Sequence, residues 1–355
     1  MDRFWWIIFS LLSGQAVLAQ GHIPVFPDLE GPELLDQVVD AYKTQTTLSS
    51  NDSKDTLYGH IYKVGDSLRC VYTGYTIYLD PSADPSEAAF DQDINLEHTF
   101  PKSMGAGLGL PLTDMHHLHP SRVEANTARG SLPFGEVPDA QADEWFYLDQ
   151  TLSGPPAQNI DAYSEVQHNV FFEPREDHKG NVARAVFYFY TMYKTEADAA
   201  NSSFFESQRL TLCGWHLVDP VDELEWERTF LIGQYQDGKP NPYVLDCTLA
   251  TRTFCQDLGV ECTPLVDTWE PADRQIDLLV QPNPASGQVL VHWSEWSGSV
   301  LTLALYDGRG LPVRQLEVPP GQTQTELSLA DLPPGMYYLE WRGERIHGGR
   351  MIVVQ

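Results

Sequence analysis

The sequence predicts an α+β domain followed by a small antiparallel β-sandwich. Three observations support this. Helix-like and strand-like segments mix irregularly over the first two thirds of the chain; composition shifts near Thr263; and from Gln275 onward the pattern changes to short alternating apolar runs. These runs, at 276–280, 288–293, 300–306, 313–318, 325–329, 336–341 and 351–354, are separated by turn signals such as Pro282-Asn283-Pro284, Asp307-Gly308 and Pro333-Pro334-Gly335. Regularly spaced short strands with Gly- and Pro-rich turns are the signature of a sandwich.

Taken in order, residues 1–19 read as a secretory signal peptide. Met1-Asp2-Arg3 is a short n-region, Phe4 to Leu12 is apolar, and Ala16-Val17-Leu18-Ala19 is a small-residue cleavage pattern. The apolar run is too short to span a bilayer. The mature chain is expected to carry no transmembrane segment and to be monomeric. Residues 20–264 form the mixed domain, 265–275 a linker and 276–355 the sandwich. Within the mixed domain, Leu34, Leu35, Val38, Val39 and Tyr42 recur at helical spacing after Pro32, which suits a first turn. Residues 69–79, rich in Val and Tyr, predict a strand. The Asp-, Pro- and Ser-rich stretch 80–90 predicts a loop, and the polar segment 136–178 is expected to be mostly loop. Residues 182–193 predict a buried helix. Asp222 with Glu225 predicts a capped helix start running to about Tyr235.

Fifty acidic residues against 22 basic give a formal net charge of -28. This argues against a broad basic face for nucleic acid, so a polyanionic substrate would have to be held by a metal and a few local cations. Five cysteines in an exported chain predict disulfides, with one thiol left over; Cys247, Cys255 and Cys262 lack paired zinc-site spacing.

Chemistry concentrates in Asn95-Leu96-Glu97-His98-Thr99-Phe100-Pro101-Lys102-Ser103, then Asp114-Met115-His116-His117-Leu118-His119-Pro120, then Asn126 and Arg129. Adjacent residues on a strand face opposite ways, so Glu97 and His98 can share a site only at a strand end, which Pro101 would supply. A neutral imidazole at His98 suits proton removal from water. A Glu97 carboxylate oxygen and an Asn126 amide oxygen suit a hard cation with open water positions. Alternatively, His116, His117 and His119 could be zinc ligands.

In these motifs the chain resembles the endonuclease I family, nucleases of the ββα-metal (His-Me finger) type. Asn95-x-Glu97-His98-x-x-Pro101-x-Ser103 carries the first half of the likeness. Asp114-Met115-His116-His117-Leu118-x-Pro120, Asn126-x-x-Arg129 and Pro133-Phe134-Gly135-Glu136 carry the second, and Trp215, Asp219-Pro220-Val221 and Asn241-Pro242-Tyr243 extend it. The resemblance implies His98 as general base, Glu97 and Asn126 as metal ligands and Arg129 as the phosphate-holding arginine, with Arg69 and Arg122 as alternatives. It also implies Asn95, Asp114, His116 and His117 as supporting residues. The implied cofactor is Mg2+, with Ca2+ or Mn2+ as substitutes, and the implied substrate is DNA and also RNA, cut without sequence preference. Two departures are visible: Gly130-Ser131 replaces a small residue followed by Asn, and the loop at Gln236-Asp237-Gly238-Lys239-Pro240-Asn241-Pro242 carries an inserted residue.

The tail, with Val280-Gln281-Pro282-Asn283-Pro284-Ala285 and Leu332-Pro333-Pro334-Gly335-Met336-Tyr337-Tyr338-Leu339, resembles the sorting domain of the type IX secretion system of Bacteroidetes. That implies engagement with the secretion machinery and a secreted or cell-surface location. An alternative for the tail is a carbohydrate-binding or adhesion module with a platform built from Trp293, Trp296 and Trp341. An alternative for the whole chain is an inactive secreted binding protein on a nuclease-like scaffold.

Overall fold

In the computed structural model the described residues are 22–259, 262, 278–293, 301–307, 311–319, 321–342 and 347–355. The expected signal peptide and linker lie outside them.

Helix α1 (Gly31–Tyr42) has a proline in its first turn and buries Leu34 and Val38. Ser49 caps α2 (Ser50–Thr56), accepting from the backbone of Asp52, and α2 runs on into a single π-helical turn at Leu57–Ile61. The strand expected at 69–79 is instead a hairpin of β1 (Ser67–Arg69) and β2 (Thr76–Tyr78). Gly74, at φ +71, turns the chain between them, a backbone conformation open to glycine at little cost. The loop expected at 80–90 contains helix α3 (Pro85–Phe90). Asp84 caps it at the Glu87 backbone and Pro85 occupies the first turn, so the Asp-Pro signal marks a helix start here.

Strands β3 (Ile94–His98) and β4 (Leu118–Arg122) pair antiparallel, with Glu97 opposite His119 and Asn95 opposite Ser121. The connection between them carries α4 (Leu110–Thr113) and a 3-10 turn at Met115–His117. Helix α5 (Val123–Arg129) follows β4 directly. The segment expected to be mostly loop at 136–178 holds a four-stranded antiparallel sheet: β5 (Glu144–Tyr147), β6 (Gln150–Leu152), β7 (Ser164–Gln167) and β8 (Phe171–Glu173), in the order β6-β5-β7-β8. Strands of three or four residues are too short to show a period, so their cross-strand packing rather than their pattern defines them.

The expected buried helix is α6 (Lys179–Met192), in which every residue but Asn181 is buried. It is the central post of the domain. Then come α7 (Lys194–Asn201), α8 (Arg209–Val218), α9 (Glu223–Gly233), α10 (Pro242–Leu245) and α11 (Thr248–Thr253). Asp222 caps α9 at the Glu225 backbone, as the sequence predicts. Disulfides join Cys213 to Cys255 and Cys247 to Cys262, and Cys70 is the buried free thiol.

All seven expected tail strands are present: β9 (Leu278–Gln281), β10 (Gln288–Trp293), β11 (Leu301–Tyr306), β12 (Pro312–Val318), β13 (Gln324–Ser328), β14 (Gly335–Arg342) and β15 (His347–Val354). They form sheets β13-β10-β9 and β12-β11-β14-β15 around one apolar core that includes Val289, Val291, Leu303, Leu339 and Ile352. Trp293 and Trp341 are buried in that core, so they are not an exposed carbohydrate platform. Trp296 lies outside the described residues.

Candidate active site

Strand β3 ends at His98, and the chain bends through Thr99 and Phe100 before Pro101. Glu97 and His98 therefore face opposite sides of the strand end. Glu97 turns inward and is 2% exposed; its Oε1 accepts from the Tyr72 hydroxyl at 2.9 Å and lies 3.3 Å from Arg129 Nε. Burial raises its pKa, while Arg129 and the Tyr72 hydroxyl oppose that shift.

Asn126 and Arg129 lie three residues apart on α5, so they share a face, and that face meets β3. Asn126 Nδ2 donates to Asn95 Oδ1 at 2.7 Å and to Leu96 O at 3.3 Å. A flipped amide would set its oxygen against the Leu96 carbonyl, so the nitrogen belongs on this side. Asn126 Oδ1 has no protein donor among the described residues. Asn95 thus holds the Asn126 amide in place.

His98 Nε2 donates to Leu112 O at 3.0 Å, which makes Nδ1 the unprotonated nitrogen. Burial, then the neighbouring His117, pushes its pKa down to about 2, so the imidazole is neutral at any working pH. The His117 ring stands edge-on to it at 5.6 Å and is itself anchored by Nε2 to Pro111 O at 2.7 Å.

Asp114 is fully buried and organises the wall behind these imidazoles. It caps the 3-10 turn through the His116 backbone at 3.1 Å. It also accepts from Tyr188, Tyr193 and the Gln236 amide at 2.8, 2.7 and 2.8 Å. His116 Nε2 reaches Lys239 O at 2.9 Å. Asp114, His116 and His117 are thus a scaffold tied to α6 and to the 236–242 loop. His119 shares its Nδ1 with Tyr62 Oη and Arg228 Nη1 at 2.6 and 2.9 Å. His116, His117 and His119 are therefore bound to three different partners. No group of three or more His, Cys, Asp or Glu among the described residues could hold a metal ion, which leaves the zinc alternative without a converging ligand set.

Arg129 is 1% exposed. Its Nη1 donates to Gly130 O at 2.9 Å and its Nη2 to Thr99 O at 2.5 Å, and its guanidinium lies over the Phe134 ring. Arg129 is thus turned inward, with its guanidinium against Glu97. Arg122 pairs with Glu124. Sequence reasoning missed Tyr72, Tyr188, Tyr193 and Gln236, whose hydroxyls and amide reach the site from 25 to 122 residues away. Only the tyrosine-rich character of 72–78 and 188–193 hinted at them.

Glu97 and the Asn126 oxygen are both hard donors, and with no further protein ligand nearby they fit a divalent cation that keeps several waters. His98 and Asn95 line a cleft of about 520 Å³ whose lining does not include Glu97 or Asn126.

Comparison with known proteins identifies the same region. A family model described as Endonuclease I matches residues 36–247, more than half of the chain, and a secretion system C-terminal sorting domain matches residues 279–355. The extracellular ribonuclease of Bacillus subtilis (strain 168) is 30% identical over 165 residues, covering 43% of this chain and 51% of the relative. That of Bacillus amyloliquefaciens is 30% identical over 169 residues, covering 43% and 50%. The chain thus spans about half the length of these curated relatives. A Bacteroides vulgatus DUF3244 protein with an immunoglobulin-like β-sandwich aligns to 23% of the chain and 97% of its own, at 19% identity and a TM-score of 0.19, too low to support any argument about fold. The sorting domain marks a secreted or cell-surface protein, and no described helix is long and apolar enough to cross a membrane. The chain belongs to the endonuclease I family and ends in a type IX secretion sorting domain.

Proposed function

We propose that this protein is a metal-dependent endonuclease that hydrolyses phosphodiester bonds of DNA and RNA without sequence preference. What supports the reading is that β3, whose end carries Glu97 and His98, packs against α5, which carries Asn126 and Arg129, with Asn126 bonded to Asn95 and Arg129 beside Glu97. His98 Nδ1, left free because the Leu112 carbonyl accepts from Nε2, takes the proton from the attacking water. Glu97 and Asn126 would hold Mg2+, with Ca2+ or Mn2+ as substitutes, and Asn95, Tyr72 and Arg129 fix the two ligands. When bound, such an ion supplies Lewis-acid stabilisation of charge on the phosphate and leaving oxygen. Arg129 acts by orienting Glu97 rather than by touching phosphate. RNA is included because the curated relatives are extracellular ribonucleases. Recognition rests on phosphate and sugar, which carry no sequence information.

The test incubates the purified protein with plasmid DNA and with RNA, in Mg2+ and again with excess chelator. Cleavage of both that chelator abolishes is the expected result. Intact nucleic acid across Mg2+, Mn2+ and Ca2+ would sink the proposal and favour a binding protein.

A further inference from the structure

The cleft beside His98 has more structure than hydrolysis requires. Three elements build it: α2 and its π-helical extension give Ser50, Lys54 and Tyr58; α3 gives Ser86, Glu87, Phe90 and Asp91; β3 gives Asn95 and His98, with Lys102 just beyond. Phe90 is 65% exposed although it is a large aromatic at the end of a helix. Tyr58, on the facing element, is 1% exposed and its hydroxyl has no hydrogen-bond partner. A buried hydroxyl left without a partner is destabilising. Lys54 and Lys102 make no ion pair with a described residue, and Lys102 lies close enough to His98 to lower its pKa. In a chain of net charge -28, two lysines at one cleft stand out, although Lys54 also interacts with Asp84.

Resting on the nuclease reading, we infer that this cleft is a subsite for one unpaired nucleotide next to the scissile phosphate. Its base stacks on Phe90, and Lys54 and Lys102 take the flanking phosphates. Base faces stack on aromatics whatever their sequence, which suits a nonspecific enzyme. Glu87 and Asp91 on the α3 wall repel phosphate but accept from exocyclic base amines, so the wall orients the base toward Phe90 and the backbone toward the lysines. In a duplex the bases are already stacked and cannot reach Phe90, so the subsite favours single-stranded DNA and RNA.

The test uses the His98→Ala protein in Mg2+, so that binding is read without cleavage. Short single-stranded DNA, single-stranded RNA and duplex DNA are compared by fluorescence anisotropy, with 2-aminopurine in the strands as a stacking reporter. Phe90→Ala should weaken single-strand binding by about fivefold or more, the range for one lost base stack. It should also relieve the 2-aminopurine quenching and change duplex binding less than about twofold. Phe90→Trp should restore both signals. Lys54→Gln and Lys102→Gln should weaken every substrate and flatten the salt dependence. Equal losses on single strand and duplex, or unchanged quenching in Phe90→Ala, would overturn the subsite. Failure of the parent protein to cleave any substrate would instead overturn the nuclease reading, and the binding arm would still judge Phe90.

Discussion

The two ends of this molecule bury different things. Every buried polar or charged residue among those described lies between Thr44 and Asp246. The tail core, from Leu278 to Val354, is entirely apolar or aromatic. Burying polar groups is costly unless each is paired, so a region that buries Glu97, His98, Asp114, Arg129, Arg184 and Glu225 must make extended networks. The Arg184–Glu225 pair is held by Nε and Nη2 contacts of 2.6–3.0 Å, and Asp114 ties the 115–117 turn to α6 and to the 236–242 loop. The tail has no such demand: alternation alone builds it. Chemistry sits where polar groups were buried in spite of the cost, and packing suffices for a domain that serves as an address.

The contrast can be broken at its strongest point first. Arg129→Ala leaves Glu97 buried without its charge partner and should cost about 3–5 kcal/mol of stability, with cleavage lost. Chemical denaturation and plasmid cleavage check it, and a variant as stable as the parent would show that the network is not what holds the site. In the tail, Leu303→Ala should destabilise the sandwich by about 2–5 kcal/mol while kcat/KM on plasmid stays within about twofold of the parent. A large loss of activity would tie the tail to catalysis and erase the contrast.

A smaller effect sharpens it. Glu165 and Glu173 face each other across β7 and β8, both buried. Glu173 pairs with Lys179 at 2.7 Å, yet burial lifts its pKa to about 7, and burial and then the Glu173 charge push Glu165 up to about 8. Its folded pKa lies above its unfolded value near 4.5, so the native state binds the extra proton between those values. Stability from this residue is full below about pH 4.5 and lost as pH rises toward 8. Glu165→Gln should therefore raise Tm by about 3 °C at pH 8.5, the shift for about 1 kcal/mol in a domain of this size, and leave it unchanged near pH 4.5. Equal shifts at both pH values would contradict the assignment.

What could be read from the sequence divides along the same line. The tail strands were legible because all but the four-residue β9 are long enough to show alternation and each turn carries Pro or Gly. Helix α6 was legible from its apolar run. The β5–β8 sheet was not, because its strands are too short to show a period, and α3 was hidden by a helix-start signal that also reads as a turn. At the site, Asn95, Glu97, His98 and Asn126 were legible as motif spacing. Tyr72, Gln236 and the inward turn of Arg129 were not, since they follow from tertiary contacts over tens of residues.

The central claim is that His98 is the base of a preformed site. It is tested most directly by kcat/KM on plasmid DNA for His98→Ala, with circular dichroism to confirm the fold and calorimetric titration to follow Mg2+. Cleavage should fall about 10²–10⁴-fold, the contribution of a positioned general base, while the fold and the Mg2+ affinity stay unchanged. A His98→Ala protein that is folded, binds Mg2+ and cleaves within about tenfold of the parent would contradict the account.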